Sequence, residues 1–463
     1  MQDPGSPPET TEAVTTAPSA STTSARSALL IVFLVMFIDL LGFGIVLPLL
    51  PGYGREIIGP LFPGNEKLTG IILGLLMASF SLMQFIFAPI WGRISDRVGR
   101  RPFLLLGLAG SVVCYALFGF ASDYGRVPGQ QLVGLVLLFV SRIGAGIAGA
   151  TVSTAQAVIA DSTTPEHRSH GMAMIGAAFG LGFTLGPAFA ALILLILPNV
   201  HGSPGYLASC FSLIALVLAV AIMPETLRPG APHRPRKWFN LSGIRLALET
   251  PTVGTLILIF FLSVLAFAIF EPTLALLNRD VLRYGDLGNA VIFSYVGLVL
   301  TVDQGLLYRR LARRGVTEGT FTVIGTVLMA VGLTGLGALT AFATMYGTDT
   351  SRLPQTVTLV QVEIPLLWKV IFTGFLLCTL AIAVTGFSFV TPSVQALISR
   401  RSDPHKQGEI LGVNQSANAM SRILGPFLGM SLYPLQANHV LPYALGVSLL
   451  VVVLLLIPRV RQA

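Results

Sequence analysis

Twelve apolar stretches, each long enough to cross a lipid bilayer as a helix, follow one another along this sequence. A spanning helix needs about 20 apolar residues, because the hydrocarbon layer is about 30 Å thick and a helix rises about 1.5 Å per residue. The stretches lie at residues 28–50, 70–91, 102–122, 131–160, 170–197, 205–224, 252–276, 288–307, 317–343, 367–398, 408–433 and 440–458. A backbone N–H or C=O group without a hydrogen-bond partner is costly in lipid, and a helix satisfies these groups internally. The pattern therefore predicts an all-α membrane protein with twelve transmembrane helices.

The charged residues agree with a chain that lies mostly in lipid. Asp, Glu, Lys and Arg make up 11% of the 463 residues, against about 25% in a typical soluble domain. The net charge of +8 is held in short clusters between the apolar stretches, so we expect no nucleic-acid partner. The sequence shows no phosphate-binding loop, metal-ligand spacing or catalytic triad. We therefore predict neither an enzyme nor a need for a metal or other cofactor.

Lysine and arginine set the orientation, because they are enriched in cytoplasmic loops. With a cytoplasmic N-terminus, 20 of the 29 Lys and Arg residues lie in cytoplasmic segments, six in outer segments and three inside spans. Both termini are thus predicted to be cytoplasmic, in a monomer that passes many times through the lipid bilayer of the cell (cytoplasmic or inner) membrane. The predicted segments are a disordered tail at 1–27, a six-helix bundle at 28–224, a linker at 225–251, a six-helix bundle at 252–458 and a tail at 459–463.

The loop between spans 2 and 3 has an ordered arrangement of glycine, acidic and basic residues. Gly92 and Gly99 permit tight turns, and Asp96 suits the positive end of a neighbouring helix. One interpretation is an ordinary positive loop at the cytoplasmic interface. The sequence Gly92-x-x-x-Asp96-Arg97-x-Gly99-Arg100-Arg101 favours a more specific role.

This loop resembles the signature of the major facilitator superfamily, and the resemblance extends over nearly the whole chain from residue 28. It implies two pseudo-symmetric six-helix bundles. It also implies that the loop is a cytoplasmic latch, in which Asp96 holds the start of span 11 and Arg100 pairs with Asp161. The latch residues by resemblance are Gly92, Asp96, Arg97, Gly99, Arg100, Arg101 and Asp161.

Three further stretches are similar to the twelve-span drug/proton antiporters, in particular the tetracycline/proton antiporters and tetracycline transporter-like proteins. They are Asp39–Pro48 in span 1, Arg142-x-x-x-Gly146 in span 4 and Gly182-x-x-x-Gly186-Pro187 in span 5. The span 5 stretch departs from the antiporter pattern, since Ala173 and Ala190 replace preferred glycines. Its glycines permit close helix packing, either as static contacts or as a seal against proton leak.

Two charged residues lie deep within predicted spans of the N-terminal half. Asp39 is about 16 Å along span 1, at about 1.5 Å per residue. A charge near the bilayer centre costs at least about 2.5 kcal/mol, so it normally faces a cavity or a partner. Asp39 is therefore either a titrating proton site, with Arg142 as its switching partner, or one half of a fixed pair with Arg142.

Other polar and aromatic residues are candidates for lining a substrate cavity. In span 11, Asn414, Asn418 and Arg422 share one helical face, which either lines the cavity or bonds to another helix. Glu271 either meets the substrate or caps an interface, and Asp303 is expected to pair with Arg422 or a loop arginine. The cavity candidates are Phe43, Gln84, Gln156, Phe179, Phe183, Glu271, Asn414, Gln415, Asn418 and Arg422.

The leading hypothesis is a secondary active transporter that works by alternating access around a site between the bundles. The resemblance implies proton-coupled efflux of amphipathic, drug-like small molecules, with the proton gradient as the driving force. One alternative is transport of an endogenous organic anion or metabolite, recognised by Arg142, Lys369 and Arg422. Another is a membrane receptor or scaffold that uses a transporter fold without transporting.

Overall fold

The computed structural model describes residues 22–163, 168–227, 251–345, 366–403 and 407–461. In the N-terminal half the helices are α1 (Thr22–Val46), α2 (Leu50–Ile58), α3 (Glu66–Val98), α4 (Arg100–Tyr124), α5 (Gln131–Ala148), α6 (Val152–Ser162), α7 (Arg168–Ile196) and α8 (Ser203–Ile222). In the C-terminal half they are α9 (Pro251–Asp280), α10 (Asp286–Val302), α11 (Tyr308–Arg313), α12 (Glu318–Met345), α13 (Leu366–Arg401), α14 (Gln407–Leu432) and α15 (Leu441–Arg461). A π-helical turn, Asp303–Leu307, joins α10 to α11.

Each of the twelve apolar stretches contains a helix, and the predicted fourth span contains both α5 and α6. Within the described part of the chain, ten helical spans are long and apolar enough to cross a membrane. Neither the apolar segment Gly180–Ile196 of α7 nor α14, which carries the polar residues of span 11, is among these ten. The twelve-span count, the division into two six-helix bundles and the orientation of both termini therefore stay predictions.

The helices of each half pack mainly with one another. In the N-terminal half, α1 packs against α7 and α8, and α5 packs against α3 and α4. In the C-terminal half, α9 packs against α14 and α15, and α12 packs against α13 and α15. The two halves meet where α7 contacts α10 and where α3 contacts α14. We call this junction the seam.

Helices α1 and α7 approach each other closely at the glycines predicted to pack helices. A Cβ atom added to Gly186 would lie 2.7 Å from the Cα atom of Gly44, and one added to Gly182 would lie 2.7 Å from the Cβ atom of Leu40. Pro187 follows inside α7. Only residues without a side chain allow backbones to meet at this distance. The arrangement fits static packing and a proton seal equally well.

Oppositely charged residues join the two halves at the end of the seam that the predicted orientation places outside. Arg55 of α2 donates to Asp280 of α9 at 2.6 Å, and Arg279 pairs with Glu56. Arg126 also donates to Glu56, at 2.7 Å. We call Arg55, Glu56, Arg279 and Asp280 the outer clasp. Burial raises the pKa of the Glu56 carboxyl, but Arg126 and Arg279 outweigh burial, so the pKa falls below its usual 4.5.

Reversing one charge of the clasp is expected to destabilise the closed outer end. Arg55→Asp alone, or Asp280→Arg alone, places like charges together at a partly buried interface and should cost about 2 kcal/mol or more. The double variant restores opposite charges and should recover most of the loss. Thermal unfolding of the purified protein measures this.

The matched control is Lys67→Asp, which makes the same charge change at an exposed outer position. Its melting temperature should stay near that of the wild type. Equal melting temperatures for the two single variants, the double variant and the control would contradict a stabilising clasp.

Candidate functional site

Asp39 lies within α1 and is 9% exposed. Its carboxylate Oδ1 accepts a hydrogen bond from the Ser111 hydroxyl of α4 at 3.3 Å. The Tyr115 hydroxyl of the same helix donates to the Asp39 backbone carbonyl at 3.3 Å. A Cβ atom added to Gly149 would lie 3.1 Å from Oδ2, so the carboxylate faces the connection between α5 and α6. A hydroxyl and nearby backbone thus surround this acid.

Arg142 of α5 is 3% exposed, yet it forms no ion pair with any residue that the structure describes. Its Nε atom is buried and has no hydrogen-bond partner among those residues. Its guanidinium carbon lies 4.6 Å from the centre of the Phe80 ring of α3. The interpretation of Asp39 and Arg142 as a fixed pair is therefore wrong for this conformation, because Asp39 is directed at α4 while Arg142 stacks on α3.

A continuous series of aromatic rings runs from Arg142 across the seam to Arg422. The Phe80 and Phe43 ring centres are 5.0 Å apart, and those of Phe43 and Phe183 are 5.7 Å apart. The guanidinium carbon of Arg422, on α14, lies 5.9 Å from the Phe183 ring centre. We call these five residues the arginine–phenylalanine array. Cations over aromatic faces gain about 2 kcal/mol when desolvated, so the rings offset part of the cost of burying the arginines.

The span 11 residues occupy different environments. Arg422 interacts electrostatically with Glu271 of α9, so these two candidates do lie together. Asn414 is 1% exposed, and its Oδ1 atom has no hydrogen-bond partner in the described part of the chain. Asn418 donates to the exposed Gln415 at 3.5 Å. The predicted polar stripe is thus divided: Arg422 belongs to the array, whereas Asn418 is hydrogen-bonded to the exposed Gln415.

Two of the glutamine candidates lie on α3 and α6. Gln84 of α3 donates through Nε2 to the Gly149 carbonyl at 2.9 Å, and Trp91 donates to the Ile147 carbonyl at 2.7 Å. Both bonds satisfy carbonyl groups released where α5 ends. Gln84 thus has a structural contact, and its cavity role stays a prediction. Gln156 of α6 is exposed. The Phe179 and Lys369 side chains lie outside the described residues.

The cytoplasmic latch is built around Arg100. Its Nε atom donates to Asp161 at 3.3 Å, as the resemblance implied, and its Nη1 atom pairs with Asp96 and donates to Ser95 at 3.0 Å. Arg97 is exposed. The implied contact of Asp96 with the start of span 11 involves side chains 404–408, which lie outside the described residues.

Glu225, just after α8, holds the start of α4, and sequence reasoning missed this role. It accepts from the backbone N–H groups of Arg100 at 2.9 Å and Arg101 at 3.1 Å, and from those of Thr226 and Leu227 at 2.9 Å each. Burial raises the pKa of the Glu225 carboxyl, but these donors outweigh it and the pKa falls below the usual 4.5.

Glycine is required at the neighbouring position of the latch. Gly99 has φ +121°, and a Cβ atom there would meet the Glu225 carboxylate. The sequence around Glu225, Met223–Leu227, resembles the usual end of span 6. That pattern marks the acid, but it does not reveal which helix the acid contacts.

Replacing Glu225 with glutamine is expected to destabilise the latch by about 1 kcal/mol, as loss of a helix cap does. The pH dependence of the stabilisation by Glu225 follows from its lowered pKa. The contribution of Glu225 is present above pH 4.5 and disappears as the pH falls through the lower folded-state value. Thermal unfolding at pH 7 and at low pH measures both effects.

Arg310→Gln is the control, because it changes one charge at an exposed position outside the latch. We expect it to unfold like the wild type at both pH values. A Glu225→Gln variant as stable as this control at pH 7 would remove Glu225 from the latch.

Comparison with known proteins identifies relatives along most of the chain. Major facilitator superfamily domain-containing protein 10 of Bos taurus is 29% identical over 451 residues, covering 89% of this chain and 88% of the relative. Tetracycline resistance protein, class C, of Escherichia coli is 26% identical over 441 residues, covering 95% and 97%. The resemblance to tetracycline transporters inferred from the sequence motifs is therefore confirmed.

Solved structures show the same fold. The crystal structure of the human organic anion transporter MFSD10 (TETRAN) matches with a TM-score of 0.60 and 25% identity, covering 94% of this chain and 99% of that one. That of a D-xylose-proton symporter matches with a TM-score of 0.71 at 16% identity, covering 94% and 97%. The profile of the Major Facilitator Superfamily matches residues 32–426. The chain is therefore a multi-pass membrane protein and belongs to the Major Facilitator Superfamily.

Proposed function

We propose that this protein is a proton-coupled secondary transporter that moves amphipathic organic anions by alternating access. The observation that carries the proposal is Arg142, a buried cation that has no ion-pair partner among the described residues and an orphaned Nε donor. Such a group is expensive in a membrane helix unless a ligand or water completes its hydrogen bonds. An anionic substrate group supplies both a charge and acceptors.

The rings of the array support a substrate with an apolar or aromatic body. Phe43, Phe80 and Phe183 lie between two guanidinium groups at the junction of both halves. A planar apolar body could lie against these rings while its acidic group meets Arg142 or Arg422. A relative of known structure, MFSD10 (TETRAN), is a human organic anion transporter, which agrees with this substrate class.

Proton coupling rests on the acids beside the array. Asp39 is buried against a serine hydroxyl without a cation, an environment in which the neutral acid is favoured. Arg142 keeps its charge at all physiological pH values. If the conformational change brings Arg142 towards Asp39, the acid loses its proton, and if Arg142 moves to a bound anion, the acid regains it.

A second candidate function is export of drug-like compounds that carry a positive charge. Glu271 favours it, because this acid lies beside Arg422 at the array and could exchange Arg422 for a cationic substrate. Tetracycline resistance proteins among the relatives agree with drug export.

Vesicle flux with two matched probes separates these functions. A naphthalenesulfonate and a naphthyl-trimethylammonium share an apolar body and differ in charge. We expect saturable flux of the sulfonate, reduced about tenfold or more by Arg142→Gln, since one charge-assisted hydrogen bond contributes about 1.5–3 kcal/mol.

Two variants serve as controls for the loss of sulfonate flux in Arg142→Gln. Arg142→Lys keeps the charge but not the planar donor set, and should give an intermediate rate. Arg309→Gln removes an exposed arginine and should have no effect. Transport of the cation alone would favour the second candidate. Saturable binding of either probe without flux would favour a receptor or scaffold.

Replacing Asp39 with asparagine tests the proton coupling. The amide oxygen can still accept from Ser111, so folding should persist while titration is lost. We expect this variant to lose accumulation of the sulfonate driven by a proton gradient and to keep exchange of internal for external sulfonate. Gradient-driven accumulation equal to that of the wild type would remove Asp39 from the mechanism.

A further inference from the structure

Asp303 is a buried acid in the C-terminal half that the proposed function does not use. It is 6% exposed and is the first residue of the π-helical turn Asp303–Leu307. The Thr385 hydroxyl of α13 donates to its Oδ2 atom at 2.7 Å. Single π-helical turns inside α-helices are uncommon and occur often at functional sites. Here the turn directs an acid towards a neighbouring helix.

The expected cation partner of Asp303 is absent from the described part of the chain. The sequence-based expectation of a pair with Arg422 or a loop arginine is wrong, because Asp303 faces α13. Arg422 interacts instead with Glu271. The arginines that follow in α11 are exposed: Arg309, Arg310 and Arg313.

The groups around Asp303 are neutral at physiological pH. The π-helical turn packs against α10, α11 and α13. From α10, Tyr295 interacts with Asp303 and with Cys378 of α13, and its hydroxyl donates to the Leu377 carbonyl at 3.1 Å. From α11, the Tyr308 hydroxyl shares a hydrogen bond of 3.1 Å with Ser393.

These neighbours favour the protonated form of the acid. Burying an ionised carboxylate costs free energy unless a cation, hydrogen-bond donors or water compensate. A protonated carboxyl carries no net charge, and it can still accept the hydrogen bond from Thr385. The hydroxyl is therefore a suitable partner in the neutral state, but a poor substitute for a cation in the charged state.

We propose that Asp303 is a proton-carrying site of the C-terminal half, separate from Asp39. In the conformation described here the Asp303 carboxyl group holds one proton. When α13 moves away from the π-helical turn, water reaches the carboxyl, the proton leaves to solvent and the carboxylate is solvated. The return movement takes up one proton from solvent. The proton site itself is independent of cargo, while its role in transport rests on the proposed function.

Infrared spectroscopy of the purified full-length protein tests protonation without any transport assay. A protonated carboxylic acid has a carbonyl stretch distinct from that of a carboxylate. At pH 7 we expect protonated-acid absorption in the wild type, and in Asp303→Asn we expect the loss of the part that one carboxyl group contributes. Thr385→Val removes the hydrogen-bond donor and should shift this band.

Asp280→Asn is the matched control, since the Asp280 carboxylate pairs with the Arg55 guanidinium at 2.6 Å. It should leave the band unchanged. A spectrum of Asp303→Asn identical to that of the wild type would overturn the proposal, because it would mean that Asp303 is ionised despite its burial.

Vesicle flux then tests whether the proton is carried. Asp303→Asn should lose the naphthalenesulfonate accumulation driven by a proton gradient, at least tenfold, while sulfonate exchange persists. Full accumulation in this variant would overturn the carrying role. If the wild type itself shows no gradient-driven accumulation, the proposed function fails, and the infrared result still decides whether Asp303 holds a proton.

Discussion

A charge buried among apolar helices is stable only if the protein itself supplies what water would supply elsewhere. Three residues of this chain meet that constraint in different ways. Arg142 lies over an aromatic ring, Asp39 accepts from a serine hydroxyl and Asp303 accepts from a threonine hydroxyl. None of the three has a counter-ion among the described residues, so each is sensitive to a small rearrangement. The candidate chemistry of the protein follows from these incompletely compensated groups.

The helical spans could be predicted from the sequence because lipid allows so few backbone conformations. Long apolar stretches therefore report helix positions with little ambiguity, and a helix lies within every predicted stretch. The interruption between α5 and α6 was not predicted. Gln84 and Trp91 of α3 accommodate it, because their side chains donate hydrogen bonds to the carbonyls that α5 leaves free. Those bonds join residues that are far apart in the sequence, so no local pattern reports them.

The same distinction explains which parts of the candidate site were predicted. Arg142, Arg422 and Glu271 are conspicuous because charge is rare in a span, and the pairing of Arg100 with Asp161 came from a resemblance. Phe80 was not identified, since one more phenylalanine in an apolar helix carries no signal of its own. Its importance arises only from its position below the Arg142 guanidinium.

The order of charges in the outer clasp has a consequence for how the two halves meet. Arg55 and Glu56 are adjacent on α2, and they face Arg279 and Asp280, which are adjacent at the end of α9. A slip of one residue would bring Arg55 beside Arg279 in one direction, or Glu56 beside Asp280 in the other. The clasp therefore favours one alignment of the two halves, and with it the relative position of the rings of the array that lie on either side of the seam.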